Sequence, residues 1–190
     1  MKKLFSITLF LISFSITAQT KKLVSETNHS TIGFQISVAG FTKVTGKFKD
    51  FEIRMDWNDK VLDSCKLSTT IQVKSIDTGI PDRDNHLRTS DFFDADQFPT
   101  IIFESDSIVQ VDYSNFKAHG RLSMHGVTKE FSLPFQIVKV ENNTIGIQCE
   151  TSLNRSDFGV GTDFKHSSMP DFLSDEIEVE IYFWTKKRKD

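Results

Sequence analysis

Motifs that carry chemistry are scarce in this chain, and each scarcity excludes something. Only two cysteines occur among 190 residues, Cys65 and Cys149. No CxxC pairs them, so a redox centre or a thiolate metal site has no support. No GxSxG elbow presents a serine nucleophile. The five histidines, His29, His86, His119, His125 and His166, are scattered, with no HxH or HExxH spacing to group them around a metal. Gly159 and Gly161 form only a fragment of a phosphate cradle. Proline occurs four times, and no Pro/Gly/Ser-rich linker, repeat or low-complexity tract divides the chain. No metal or cofactor is therefore expected.

What is present begins at the N-terminus. Lys2 and Lys3 precede an apolar run from Leu4 to Ile16, and the small residue Ala18 follows, the pattern of a cleaved secretory signal peptide over residues 1–18. The run is short for a bilayer span, and no cysteine follows it to carry a lipid anchor. Removing Lys2 and Lys3 from the 23 basic residues leaves 21 against 26 acidic, a net charge of −5 for residues 19–190. A mildly acidic, mixed-charge chain lacks the basic footprint that nucleic acid requires. The expectation is one soluble domain over 19–190, periplasmic or secreted, without stable membrane insertion. Export would permit a disulfide, but Cys65 and Cys149 both sit in alternating apolar runs as small buried hydrophobes, and the sequence leaves their pairing open.

Phenylalanine is abundant. It occurs 18 times, three of them in the signal segment, against two each of Tyr and Trp. Phe brings large apolar area without a polar handle, which suits either a dense core or an apolar cavity.

From Lys22 onward the periodicity is that of β-strands with one apolar face. Ile32, Phe34, Ile36 and Val38 alternate with small or polar residues, and Ala39–Gly40 turns the chain into Val44, Gly46 and Phe48. The apolar parity then slips before Phe51, Ile53, Met55 and Trp57, which places a bulge at Lys49–Asp50. Leu67, Thr69, Ile71 and Val73 form a third strand. Later strands run near Ile101–Val109, Phe116–Met124, Phe131–Ile137, Ile145–Leu153 and Ile177–Phe183. Turns are expected at Asp112–Asn115, His125–Gly126 and Asn142–Asn143, with a loop ending near Asp171. About eight short-linked strands fit an antiparallel meander that closes into a barrel, with a two-sheet sandwich as the runner-up.

One segment interrupts the series. Pro81–Ser105 is dense in charge yet carries Phe92, Phe93 and Phe98. Asp82 is expected to cap a short helix through Leu87 and Arg88, and Ser90 a second turn, before Pro99 releases the chain into a strand. An Asp–His pairing within it could orient a general base, but no nucleophile motif completes the set. A lid with its phenylalanines turned inward is the simpler reading.

The string RDNHLRTSDFFDADQFPTIIFES resembles the signature of the YceI-like family of exported lipid- and polyisoprenoid-binding proteins. Three further strings agree in order: HSTIGFQISVAGFTKVTGKFKDFE, GRLSMHGVTKEFSLPF and SLNRSDFGVG. The resemblance implies an all-β, eight-stranded antiparallel lipocalin-like barrel with a short helical insert, holding a long isoprenoid or quinone-like lipid. At Ala39 the chain departs from the polar residue that the family often carries. Combined with strand parity, the expected channel lining is Phe34, Ile36, Phe48, Leu67, Ile71, Phe103, Leu122, Phe135, Ile147 and Ile181, with Phe92 and Phe93 closing one end. His86, Arg88, Arg155 and Asp157 are the expected rim around a head group. A non-enzymatic carrier is expected, with a homodimer left open. The alternatives are an enzyme acting on a lipid or small oxidised substrate, and a ligand-free stress-response interaction module.

Overall fold

The structure, a computed structural model, describes residues 19–141, 144–169 and 172–188. The expected signal segment 1–18, the turn expected at Asn142–Asn143 and the expected loop end at Asp171 lie outside these residues.

Among the described residues eleven strands form a single antiparallel sheet: β1 (Lys21–Ser25), β2 (Thr31–Val38), β3 (Thr42–Phe48), β4 (Phe51–Trp57), β5 (Lys66–Gln72), β6 (Ile76–Asp77), β7 (Thr100–Gln110), β8 (Asn115–Met124), β9 (Val127–Glu141), β10 (Thr144–Asn154) and β11 (Leu173–Lys187). Three pairs of these are single staves bent in the middle. β1 and β2 are separated by a helical turn at Thr27–His29, β3 and β4 by Lys49–Asp50, and β5 and β6 by a helical turn at Val73–Ser75. Eight staves result. β1 pairs with β4 on one side and with β11 on the other, so the sheet closes into an eight-stranded antiparallel barrel rather than a sandwich. The parity slip at Lys49–Asp50 is the break between β3 and β4. β1 is a strand that the alternation did not single out, because only Leu23 and Ser25 turn fully inward over its five residues.

Closure without exposed edges needs strong twist, and the sheet takes it at irregular positions where buried hydroxyls replace ladder bonds. Ser105 lies where the β7–β8 register shifts, and its Oγ accepts the Leu67 amide at 2.8 Å. Ser25 Oγ accepts the Ile53 amide at 3.0 Å, and Thr185 Oγ1 accepts that of Ile145 at 2.8 Å. Gly120 faces the Ser105 irregularity so closely that a Cβ would collide with the Glu104 carbonyl. The His125–Gly126 turn has positive φ at both residues (51° and 75°), as a two-residue hairpin between β8 and β9 requires.

The barrel is filled unevenly. At the end that holds the β7–β8 turn, Trp57 meets Phe116 edge-on at 5.2 Å, and Phe116 stacks on Phe135 at 5.4 Å. Such ring pairs add about 0.5–1.5 kcal/mol beyond their burial. Leu23, Ile53, Met55, Leu67, Ile145 and Cys65 complete a dense plug there. Both cysteines are free and buried. Burial pushes the Cys149 thiol up to about 12, with the neighbouring Glu150 charge adding to it. Burial also raises Cys65, partly offset by its hydrogen bond from the Asn58 amide.

Among the described residues there is one α-helix, α1 (Pro81–Leu87), which lies between β6 and β7, within the segment expected to be a lid. Pro81 occupies its first turn, where a missing N–H costs nothing. Asp82 does not cap it, contrary to expectation. Ile80 is the N-cap residue, and the carboxylate of Asp84 instead accepts the amide (2.8 Å) and hydroxyl (2.5 Å) of Thr78. The second turn is likewise organised by Thr89, whose hydroxyl donates to the His86 carbonyl at 2.8 Å, rather than by Ser90.

A candidate lipid cavity at the helical end of the barrel

Above the packed plug lies a cavity of about 590 Å³, within the roughly 300–1,000 Å³ range of small-molecule sites. Its floor can be read from strand register. On β5 the inward residue Thr69 lines it and the next, Leu67, does not; on β9 the boundary falls between Leu133 and Phe135; on β11 it falls between Ile181 and Phe183. The walls are hydrocarbon: Ile32, Phe34 and Ile36 from β2, Val44 and Phe48 from β3, Ile101 and Phe103 from β7, Leu122 from β8 and Leu153 from β10. Phe34 packs against Phe48 at 5.7 Å, and Phe48 meets Phe93 edge-on at 6.2 Å. Gly46 gives the Phe34 ring its place, since a Cβ there would overlap it.

The insert forms the roof. Asp82, Arg83, His86 and Leu87 share the helix face toward the cavity, as residues three and four apart must. Phe92 is buried and Phe93 partly buried, and both line the space. His86 Nε2 bonds Asp91 Oδ2 at 2.8 Å, and its ring meets Phe92 at 5.1 Å and Phe164 at 5.7 Å. Arg83 is anchored by Thr78, with Nε donating to its hydroxyl at 2.8 Å and Nη2 to its carbonyl at 2.9 Å. The loop after β10 closes the other side through Val160, Phe164 and Phe172.

Arg155 organises that loop from within. Its guanidinium donates from Nε to the Ser174 carbonyl (2.9 Å), from Nη1 to the carbonyls of Val160 (2.9 Å) and Gly161 (2.8 Å), and pairs through Nη2 with Asp175 (2.9 Å). Only 13% of its side chain is exposed. It borders the cavity, but each of its three nitrogens already has a protein acceptor.

Against the expected lining, Phe34, Ile36, Phe48, Ile71, Phe92, Phe93, Phe103, Leu122 and Ile181 lie on the cavity. Leu67, Phe135 and Ile147 are corrected: they point inward but below the floor, inside the plug. Two rim residues are corrected as well. Arg88 shares the opposite helix face with Asp84 and ties the insert to β6 through the Ile76 carbonyl at 2.9 Å. Asp157 pairs with Lys129 at 2.6 Å on the outer surface. Arg83 was overlooked, although its spacing of three from His86 would have placed both on one helix face. Among the described residues no three His, Cys, Asp or Glu side chains group as metal ligands would.

An antiparallel eight-stranded barrel with one end plugged and an apolar cavity under a helical roof is a lipocalin-like barrel. The family model of the YceI-like domain matches residues 24–184, and the chain belongs to that family. It is 29% identical over 175 residues to Protein YceI of Escherichia coli O17:K52:H18, covering 88% of this chain and 91% of that one. Among solved structures, Burkholderia cenocepacia BcnA superposes with a TM-score of 0.78 at 20% identity, over 85% of this chain and 99% of that one. The Campylobacter jejuni YCEI protein gives 0.69 at 29% identity, over 79% and 88%. A polyisoprenoid binding domain from Saccharophagus degradans, implicated in plant cell wall breakdown, gives 0.71 at 13% identity, over 90% and 100%. The two structures of lower identity speak to the fold alone.

Proposed function

We propose that this protein is an exported, non-enzymatic carrier that holds one isoprenoid-type or similar amphiphilic lipid chain in its barrel. The observation that carries the reading is the hydrocarbon-walled cavity of about 590 Å³. It is supported by membership of the YceI-like family, and the fold match to a domain described as polyisoprenoid binding is consistent with it. The signal-like N-terminus supports export to the periplasm or beyond. At about 30 Å³ per water-sized group, the cavity takes on the order of 20 carbon atoms, about four isoprene units. Burying a chain of that length grosses about 16 kcal/mol at 0.8 per methylene, of which association and ordering remove much. Retention therefore needs no polar contact to the tail. Arg83 and His86 are the nitrogen-bearing side chains that the roof turns to the cavity, which favours a head group bearing acceptor oxygens.

Native mass spectrometry of protein purified from its host is expected to show a discrete added mass, identified as a lipid after extraction. A protein that is consistently empty would overturn the proposal. The His86–Asp91 bond favours a second reading, an enzyme acting on the bound lipid. Conversion of the extracted lipid by wild type but not by His86→Ala would establish it; unaltered lipid recovered from both leaves the carrier.

A further inference from the structure

Two hairpin tips at opposite ends of the barrel each present an exposed aromatic ring. Tyr113, 97% exposed, sits on the β7–β8 turn at the plugged end. Phe41, 84% exposed, sits on the β2–β3 turn at the cavity end. Tyr carries a hydroxyl that suits water, whereas Phe has no polar atom and gains nothing from exposure. The Phe41 tip is also held in place. Ala39 and Gly40 both have positive φ (52° and 77°), and the Ala39 amide donates to the Phe172 carbonyl at 2.7 Å. Val38 and Val44, which flank the turn, both line the cavity.

A chain of rings leads inward from Phe172, the residue that holds this tip through the Ala39 amide. The Phe172 ring stacks on His166 at 4.2 Å and lies 6.5 Å from Phe164; Phe164 meets Phe92 at 5.2 Å inside the roof. Phe164, Phe172 and Phe92 all border the cavity. Ile80, which leads into the helix, and Met169, on the loop after β10, are further exposed apolar side chains in the two segments that cover this end. Charges there are mixed: Lys43 is already paired with Glu178 at 3.0 Å, and Asp82 stands beside Arg83. Attraction to an anionic surface is therefore not what this end offers.

We infer that the cavity end docks on a lipid bilayer, with Phe41 inserted among the head groups and the roof of the cavity facing the membrane. The inference rests on the carrier reading. A long apolar tail leaves a bilayer for water only against a steep penalty, so transfer is fast only where the cavity end meets the lipid directly. A single exposed ring with mixed surrounding charge suits shallow, reversible insertion rather than a stable anchor.

The test is sedimentation of the purified protein with vesicles of phosphatidylethanolamine and phosphatidylglycerol. Phe41→Asp is expected to lower the bound fraction about tenfold or more, and Tyr113→Asp to leave it unchanged. The tip carries no core side chain, so both variants keep the fold, which circular dichroism verifies. Equal sedimentation of wild type and Phe41→Asp would overturn docking, as would an equal loss in Tyr113→Asp. A photoreactive phenylalanine analogue at position 41 should cross-link to phospholipid; cross-linking to a second copy or to another protein instead would also overturn it. Lipid content, measured on the same samples, separates the two readings. An empty protein that loses vesicle binding with Phe41→Asp retains docking and loses the carrier function; a loaded protein that never sediments loses docking alone.

Discussion

The two ends of this barrel are built from the same strands with the same alternation, yet one is solid and the other hollow. In the plugged end Trp57, Phe116 and Phe135 fill the cross-section ring on ring. In the cavity end the phenylalanines Phe34, Phe48, Phe93 and Phe103 stand around a space instead of across it. What separates them is the insert between β6 and β7, which roofs an end that the strands alone leave open. Stability and binding are thereby assigned to different heights of one barrel, and substitutions at the two heights should behave differently.

The largest contrast lies between phenylalanines. Phe135→Ala in the plug should cost about 3–5 kcal/mol, read as a shift in the urea midpoint, whereas Phe34→Ala beside the void should cost the lipid-free protein about 1–2 kcal/mol while sharply reducing retained lipid. Equal costs at both heights would erase the distinction. Next comes the loop clamp. Arg155→Met strands three carbonyls and Asp175, and should cost roughly 2–4 kcal/mol with faster lipid loss in a competition assay.

A smaller effect is expected from pH. The Cys149 thiol has a folded value of about 12 against an ordinary 9.0. Because the folded value is raised, its contribution is fully present below pH 9.0 and declines as pH climbs from there toward about 12. Cys149→Ala should flatten that part of the stability–pH curve, and the wild-type thiol should resist alkylation until the protein unfolds. The smallest effect belongs to the surface. Lys129→Ala, which breaks the exposed pair with Asp157, should change stability by roughly 0.2–1 kcal/mol and leave lipid content untouched.

Much of the fold could be read from alternation. Period two gave the inward faces of the longer strands and the bend at Lys49–Asp50, since a side chain in a strand has only two faces to choose from. Height along the barrel is invisible to that rule. Leu67 and Ile71 share a strand and a parity, but one is in the plug and the other on the cavity, because the boundary is set by which bulky rings meet across the interior. The rim was harder for a related reason. Arg83 and Arg88 lie five residues apart and so on different helix faces, but which face meets the cavity is decided by packing rather than by spacing. Arg155 looked like a head-group ligand because a sequence shows a guanidinium but not the four acceptors already around it.

β6 is only two residues long and pairs with β3 but not with β7. Across that seam the wall is bridged by the insert, through the Arg88 bond to Ile76 and the Lys74–Asp96 pair at 2.6 Å, rather than by a ladder of main-chain bonds. Parting a ladder breaks several hydrogen bonds together, while sliding a side-chain-packed segment breaks few. The β9–β10 joint likewise stops at Gln148 and Gln136, so two stave joints at the helical end lack a main-chain ladder, and the bore there rests on fewer main-chain bonds than the bore around the plug.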